Sequence, residues 1–476
     1  MYNKKYASII VAIIVCISSF WACTDMDDKP LAGDLEIKEF IWRGLNLYYL
    51  WQGEVNDLAD NRFATQNDFI STMNGFATPE DWFRHLIVPP PLDRFSVIYS
   101  DYTVLEGLLQ GTSKSNGVDF ELRLKPGSTT EVFGWVRYIL PNSDASTKPI
   151  ARGDFFYAVN GTPLTTSNFR TLLGSDTYTL NLADFDNGSI TPNGQSVSLT
   201  RIPYTENPVF QSNVFDLGNA KVAYLMYNGF FSGFDTQLNQ AFGEFQSQGA
   251  THLVLDLRYN SGGALSTATR LASMITGQFN GMLFSKQQWN AKANAFFQEN
   301  NPGFLVSNFT NSLSGGQSIN SLQLNKVYIL TSRSSASASE LLINGLRPYI
   351  DVVQIGSTTS GKNVGSITLY DSPTFGRQNA NPRHRYAMQP ITFKVVNRDN
   401  FGDYADGLTP DIEQFEDFSN LGIIGNENEP LLATALSLIN SGGRAVQTNQ
   451  ATNELKWQAD TKSLRPFGNE MYLSLE

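Results

Sequence analysis

The stretch Lys326–Lys362, KVYILTSRSSASASELLINGLRPYIDVVQIGSTTSGK, leaves the fold little freedom. Lys326–Leu330 alternates and carries Val and Ile, which predicts a strand; a serine-rich turn follows, and Glu340–Leu346 then spaces its apolar residues as a helix does. A further strand is expected at Asp351–Ile355, leading into a Gly/Ser/Thr loop that ends at Lys362. Within the turn, Ser337-Ala338-Ser339-Glu340 puts a hydroxyl three residues ahead of a glutamate, the spacing of a capping box at a helix start. On that reading Ser337 only begins a helix.

The same geometry also supports chemistry. A serine at the mouth of a helix, at the carboxyl end of a strand, lies among unpaired backbone N–H groups where a developing negative charge is favoured. It still needs a base, because a free hydroxyl is a poor nucleophile near neutral pH. His85, His252 and His384 are isolated in the sequence, and none suggests a triad. Lys362 returns to the same sheet edge, and burial lowers a lysine's pKa by penalising the ammonium form. Ser337 and Lys362 therefore form a candidate dyad.

At these residues the chain resembles the S41 family, the C-terminal processing and tricorn-like serine peptidases. The SASASE stretch and the GK loop look like that family's nucleophile-to-lysine arrangement, and the spacing picks Ser337 from the neighbouring serines. The resemblance implies that Ser337 is the nucleophile, Lys362 the general base, and the N–H of Ala338 one half of an oxyanion hole. The other half would come from Gly262 or Gly263, in the turn Asp256-Leu257-Arg258-Tyr259-Asn260-Ser261-Gly262-Gly263. Paired glycines after a strand are also a common tight connection, and Asp256 with Arg258 reads as a structural ion pair. Two positions depart from the family: Ser366 stands where a lysine-orienting glutamine is common, and Pro348 where an acidic residue is often found.

A net charge of −11 argues against nucleic acid, whose phosphates require a basic surface. With 41% hydrophobic and 17% charged residues the chain has the composition of a folded protein, long enough for several domains. No cofactor is expected, and no group of Cys, His and carboxylates has the spacing of a metal site. Lys4 and Lys5 precede an apolar run, Ala7–Phe20, too short for a membrane span and followed by Trp21-Ala22-Cys23. This resembles a bacterial lipoprotein signal with Cys23 as the lipidated residue, although Phe20 and Trp21 are bulky for one; an ordinary signal peptide with a chance cysteine is the alternative. The only other cysteine, Cys16, lies in the segment to be removed, which leaves Cys23 without a disulfide partner. The expected location is the envelope of a Gram-negative bacterium, as an outer-membrane lipoprotein facing the periplasm or the surface.

Taken in order, residues 1–22 read as the signal and 23–33 as a tether. Residues 34–101 read as a small helical domain, with Trp42, Trp51 and Trp82 as core. From 102 to 203 short strands alternate with turns, and Gly153-Asp154-Phe155-Phe156-Tyr157-Ala158-Val159-Asn160-Gly161 looks like the mark of a PDZ domain. Such a domain would take a peptide as an added strand and hold its terminal carboxylate on the Ser115-Asn116-Gly117-Val118 loop. A PDZ-shaped module without peptide affinity is the alternative. Residues 204–443 would be the catalytic domain. Within it Thr276–Gln323 reads as a weakly periodic insertion near the site, and Gly407-Leu408-Thr409-Pro410-Asp411 resembles a family segment. Residues 444–476 read as a polar, peripheral tail.

The expected fold is therefore a multidomain α/β chain. A crotonase/ClpP-like α/β catalytic core would be joined to a β-rich PDZ-like domain and a small helical N-terminal domain. The expected activity is that of a serine endopeptidase acting on peptide or protein substrates through an acyl-enzyme. Ser366 and Pro348 motivate a rival, a non-catalytic peptide-binding lipoprotein that keeps the fold; an ester-directed acyl hydrolase is a third possibility.

Overall fold

The computed structural model describes residues 31–186, 188–442, 455–465 and 468–475; residues 1–22, read above as a signal, and Cys23 lie outside them. Two compact units form, one from residues 31–46 and 51–88, the other from 47–50 and 89 onward. In the first, helices Gln66–Asn74 and Pro79–His85 open on threonine caps, Thr65 accepting from Asp68 N–H and Thr78 from Asp81 N–H, both at 3.1 Å. Trp82 is fully buried there and its indole donates to Lys38 O at 3.0 Å, whereas Trp42 and Trp51 are half-buried.

The second unit is mixed α/β, with an α/β core and a β-rich region. The core sheet runs in the order Val209–Asp216, Lys221–Tyr227, His252–Asp256, Lys326–Thr331, Asp351–Gly356, Ile412–Glu413, all parallel except the first. The strands at 221–227, 252–256 and 326–331 are almost wholly apolar because they are covered on both faces. Parallel order has a direct consequence. The turns after His252–Asp256, Lys326–Thr331 and Asp351–Gly356 all emerge at one edge of the sheet, side by side. Those turns carry Gly262-Gly263, Ser337 and Lys362.

The β-rich region is an antiparallel sheet in which Val118–Leu124, Val132–Ile139, Phe155–Val159, Thr177–Asp186 and Ser189–Thr200 are neighbours in that order. Asn160 and Gly161 both take positive φ, as the Asn-Gly turn predicts. Alternation here does not separate core from solvent. Phe120, Leu122 and Val136 face one apolar cluster, while Phe133, Trp135 and Tyr138 join the cluster that contains Val222, Tyr224 and Leu330 of the core sheet. Each face has its own core.

Thr276–Gln323, weakly periodic in sequence, contributes the strand Leu283–Trp289, the helix Ala291–Asn300 and the strand Val306–Asn308. The expectation of a peripheral tail needs correction: residues 455–465 and 468–475 are built into the sheets. Trp457–Asp460 adds to the Val118–Leu124 edge, antiparallel, and Met471–Leu473 lies inside a second core sheet, between Gly263–Ala264 and Val364–Ile367. Their polar composition hid this, because Asp460, Lys462 and Glu470 are each buried against a specific partner rather than against solvent.

Candidate active site

The strand Lys326–Thr331 ends in a turn in which four serine hydroxyls hold neighbouring segments. Ser332 Oγ donates to Arg258 O, Ser335 Oγ to Leu257 O at 2.8 Å, Ser339 Oγ to Asn260 O at 2.9 Å and Ser334 Oγ to Asp460 Oδ2 at 2.6 Å. Ser337 differs. Its Oγ is fully buried and has no hydrogen-bond partner among the described residues. Its backbone sits at φ 62°, ψ −113°, a sparsely populated conformation for a residue with a side chain. Ala338 follows as the first residue of the helix Ala338–Leu346, where N–H groups have no intrahelical acceptor.

Glu340 does more than the capping spacing suggests. Its Oε2 accepts the N–H of Ser337 at 2.7 Å and that of Lys362 at 2.9 Å, so one carboxylate oxygen ties the serine turn to the GK loop. Its Oε1 takes Gly361 N–H at 2.7 Å and the Thr359 hydroxyl. Burial nonetheless pushes its pKa up, against those four donors. Thr359 Oγ1 also accepts Leu408 N–H at 2.7 Å, which places the Gly407–Asp411 segment under the loop.

Lys362 is fully buried, and desolvation lowers its pKa; the carboxylates of Glu470, Asp93 and Glu340 oppose that shift. Its ammonium does not bond to Ser337. It donates instead to Asn469 O and to Glu470 Oε2, the latter at 3.1 Å, and lies 4.4 Å from the Phe95 ring centroid. Asp93 fixes that ring by accepting the N–H groups of Phe95 and Ser96 at 3.0 and 2.9 Å. Burial raises the Glu470 carboxyl to about 8, with Lys362 pulling the other way.

The glycine turn is shaped by Asn260, whose side chain donates to Tyr227 O at 2.7 Å and accepts Gly262 N–H at 2.9 Å. Of the two glycines, only Gly263 therefore aims its N–H outward, and Glu470 O accepts it. Gly262 has φ +113°, and a Cβ there would fall on Glu470 O, 2.7 Å from Ser337 Cβ. Asp256 and Arg258 do form an ion pair, at 2.8 Å, extended to Glu429 at 2.7 Å.

Ser366 turns away from Lys362: its Oγ donates to Met471 O at 3.3 Å and accepts from Gln389 at 3.1 Å. At Pro348 the carbonyl accepts from Arg398 at 2.8 Å. The Ser115–Val118 loop is buried and satisfied internally, Gly117 N–H on Ser115 Oγ at 3.0 Å and Val118 N–H on Asn116 Oδ1 at 3.1 Å. The carboxylate donors expected there are already used. Asn260, Phe95 and Glu470 were missed as site residues from sequence, whereas Glu340 was read there only as a capping partner, by its place three residues after a serine.

The family described as Peptidase family S41 matches residues 221–413, and Peptidase S41 N-terminal domain matches residues 36–97. A carboxyl-terminal-processing protease of Picosynechococcus is 26% identical over 258 residues, 54% of this chain and 54% of its own length. A chloroplastic C-terminal processing peptidase of Tetradesmus obliquus is 25% identical over 273 residues, 55% of this chain and 54% of its own. The chain thus spans about half the length of these relatives. Among solved structures, a putative S41 protease from Bacteroides fragilis is 27% identical with a TM-score of 0.64, covering 85% of this chain and 97% of that one. The serine turn, the GK loop and the glycine turn all fall inside the matched core, and the helical region ahead of it matches a second segment of the same family: the chain belongs to peptidase family S41.

Proposed function

We propose that the chain is a serine endopeptidase that cuts peptide or protein substrates through an acyl-enzyme. The observation that carries this reading is the Ser337 hydroxyl, which alone among the serines of its turn has no hydrogen-bond partner among the described residues. Ser337 Oγ attacks the peptide carbonyl carbon, and neutral Lys362 takes its proton. The N–H groups of Ala338 and Gly263 receive the oxyanion. The C–N bond then breaks, the leaving amine takes the proton from Lys362, and water hydrolyses the ester. A fluorophosphonate probe should label the wild type and not Ser337→Ala, with peptide turnover lost in parallel; an ester cleaved where no peptide is cut would redirect the reading to another acyl hydrolase.

One observation favours a second reading, a non-catalytic peptide binder: Lys362 is bonded to Asn469 and Glu470 and not to Ser337. Absence of labelling and turnover, with peptides still bound, would establish it. We propose further that the β-rich domain is PDZ-like; its Val118–Leu124 edge carries Trp457–Asp460 as an added strand, the pairing by which such a domain holds an extended chain. We also propose lipid anchoring at Cys23 in a Gram-negative envelope. Radiolabelled palmitate should be incorporated by the wild type and not by Cys23→Ser.

A further inference from the structure

Residues 468–473 run beside Ser337, between the segments that follow the glycine turn and the GK loop. Met471 and Tyr472 pair with Gly263 and Ala264 on one side, while Tyr472 and Leu473 pair with Ser366 and Ile367 on the other, parallel in both cases. The two flanking strands lead directly from the glycine turn and from the GK loop. Glu470 N–H donates to Ser261 O at 3.1 Å, and Glu470 O accepts Gly263 N–H. The Glu470 carbonyl carbon lies 3.0 Å, and Ser337 Cβ 2.7 Å, from the point where a Gly262 Cβ would stand. An extended chain, paired on both edges, thus presents a carbonyl beside the nucleophile.

Its side chain does the opposite of what turnover requires. The Glu470 carboxyl and the Asn469 carbonyl hold Lys362 Nζ, and Ser337 Oγ is left without a base. A strand serving only to fill the sheet would gain nothing from a buried carboxyl, whose desolvation is costly. Just upstream the chain is fastened firmly. Asp460 accepts from Ser334 at 2.6 Å and Arg137 at 3.3 Å, and Lys462 donates to Asn228 O and, at 2.9 Å, to Tyr259 O.

We infer that the slot between Gly263–Ala264 and Val364–Ile367 is a groove for an extended peptide, and that residues 468–473 are its resident ligand, withholding Lys362 from Ser337 until a peptide strand displaces them. This rests on the peptidase reading. The anchor at 455–465 stays in place while 468–473 leaves.

The test uses the full chain and Glu470→Ala, with Glu470→Gln as a milder variant should alanine unfold. Weakening the resident strand raises the open fraction, so fluorophosphonate labelling of Ser337 and peptide hydrolysis should quicken roughly tenfold or more. Amides 468–473 should be protected from hydrogen exchange in the wild type and lose that protection in the variants. The free peptide Gly-Asn-Glu-Met-Tyr-Leu-Ser-Leu, copied from residues 468–475, should slow the variant again. Equal labelling of wild type and both variants overturns the inference and leaves the peptidase reading intact. Cleavage after Glu470 in wild type but not in Ser337→Ala also overturns it, because the segment would then be a substrate. No labelling of any form sinks the peptidase reading and this one with it.

Discussion

Burying an amine costs more when it carries a proton than when it does not, and Lys362 is surrounded on that principle. Only the neutral form can accept the serine proton, so hydrolysis should rise with pH as Lys362 deprotonates, and the midpoint should lie below that of an exposed lysine. The groups opposing the shift are Glu470, Asp93 and Glu340. Removing the charge of the first, in Glu470→Gln, should move the rise to lower pH, which a pH–rate profile would register. Lys362→Arg should be nearly inactive at every pH, since a guanidinium stays protonated. In Glu340→Gln an amide would face N–H donors now met by a carboxylate oxygen, costing about 1–3 kcal/mol in denaturant unfolding and loosening Lys362. At this scale the sequence was informative where signals were local. Ser337 and Lys362 stood out from motif and spacing, and Glu340 from its capping position. Asn260, Phe95 and Glu470 act on residues far along the chain, and no periodicity marks them.

At the scale of elements, the strand–turn–helix was legible because propensity, apolar spacing and turn residues agree there. The sheet that receives Met471–Leu473 was not, because a three-residue strand made by backbone pairing leaves almost no side-chain pattern. The Ser115–Val118 loop shows the converse failure. Its Ser and Asn looked available, but they cap their own backbone two residues on, as short polar side chains readily do. Gly262 joins these levels: its φ of +113° costs a residue with a side chain about 1–3 kcal/mol. A Cβ would also push on the Glu470 carbonyl. Because that Cβ would equally exclude a substrate carbonyl beside Ser337, Gly262→Ala should abolish hydrolysis even as amides 468–473 lose protection, while the core sheet still melts cooperatively, as hydrogen exchange and calorimetry would show.

Across the whole second unit, the β-rich sheet and the α/β core share one apolar cluster, and buried ions cross the same boundary. Arg258 is enclosed with Asp256 and Glu429, and Arg152 reaches Glu416 at 2.8 Å. Arg258→Met would leave two carboxylates buried without their cation, and stability should fall by about 3–5 kcal/mol in chemical denaturation. The path of residues 455–465 and 468–475 past both the β-rich sheet and the core was not readable from sequence, because its contacts join residues hundreds of positions apart.

The short run between the Asp460–Lys462 fastening and Glu470 carries a quantitative consequence. A ligand tethered that closely meets its groove at an effective concentration on the order of millimolar. A free peptide of equal intrinsic affinity at ~1 µM would then hold the groove about one-thousandth of the time. Abundance alone is a poor key to such a lock. The proteins cut fastest would be those delivered by a second grip elsewhere on the molecule, so that avidity, more than the sequence around the scissile bond, would rank its targets.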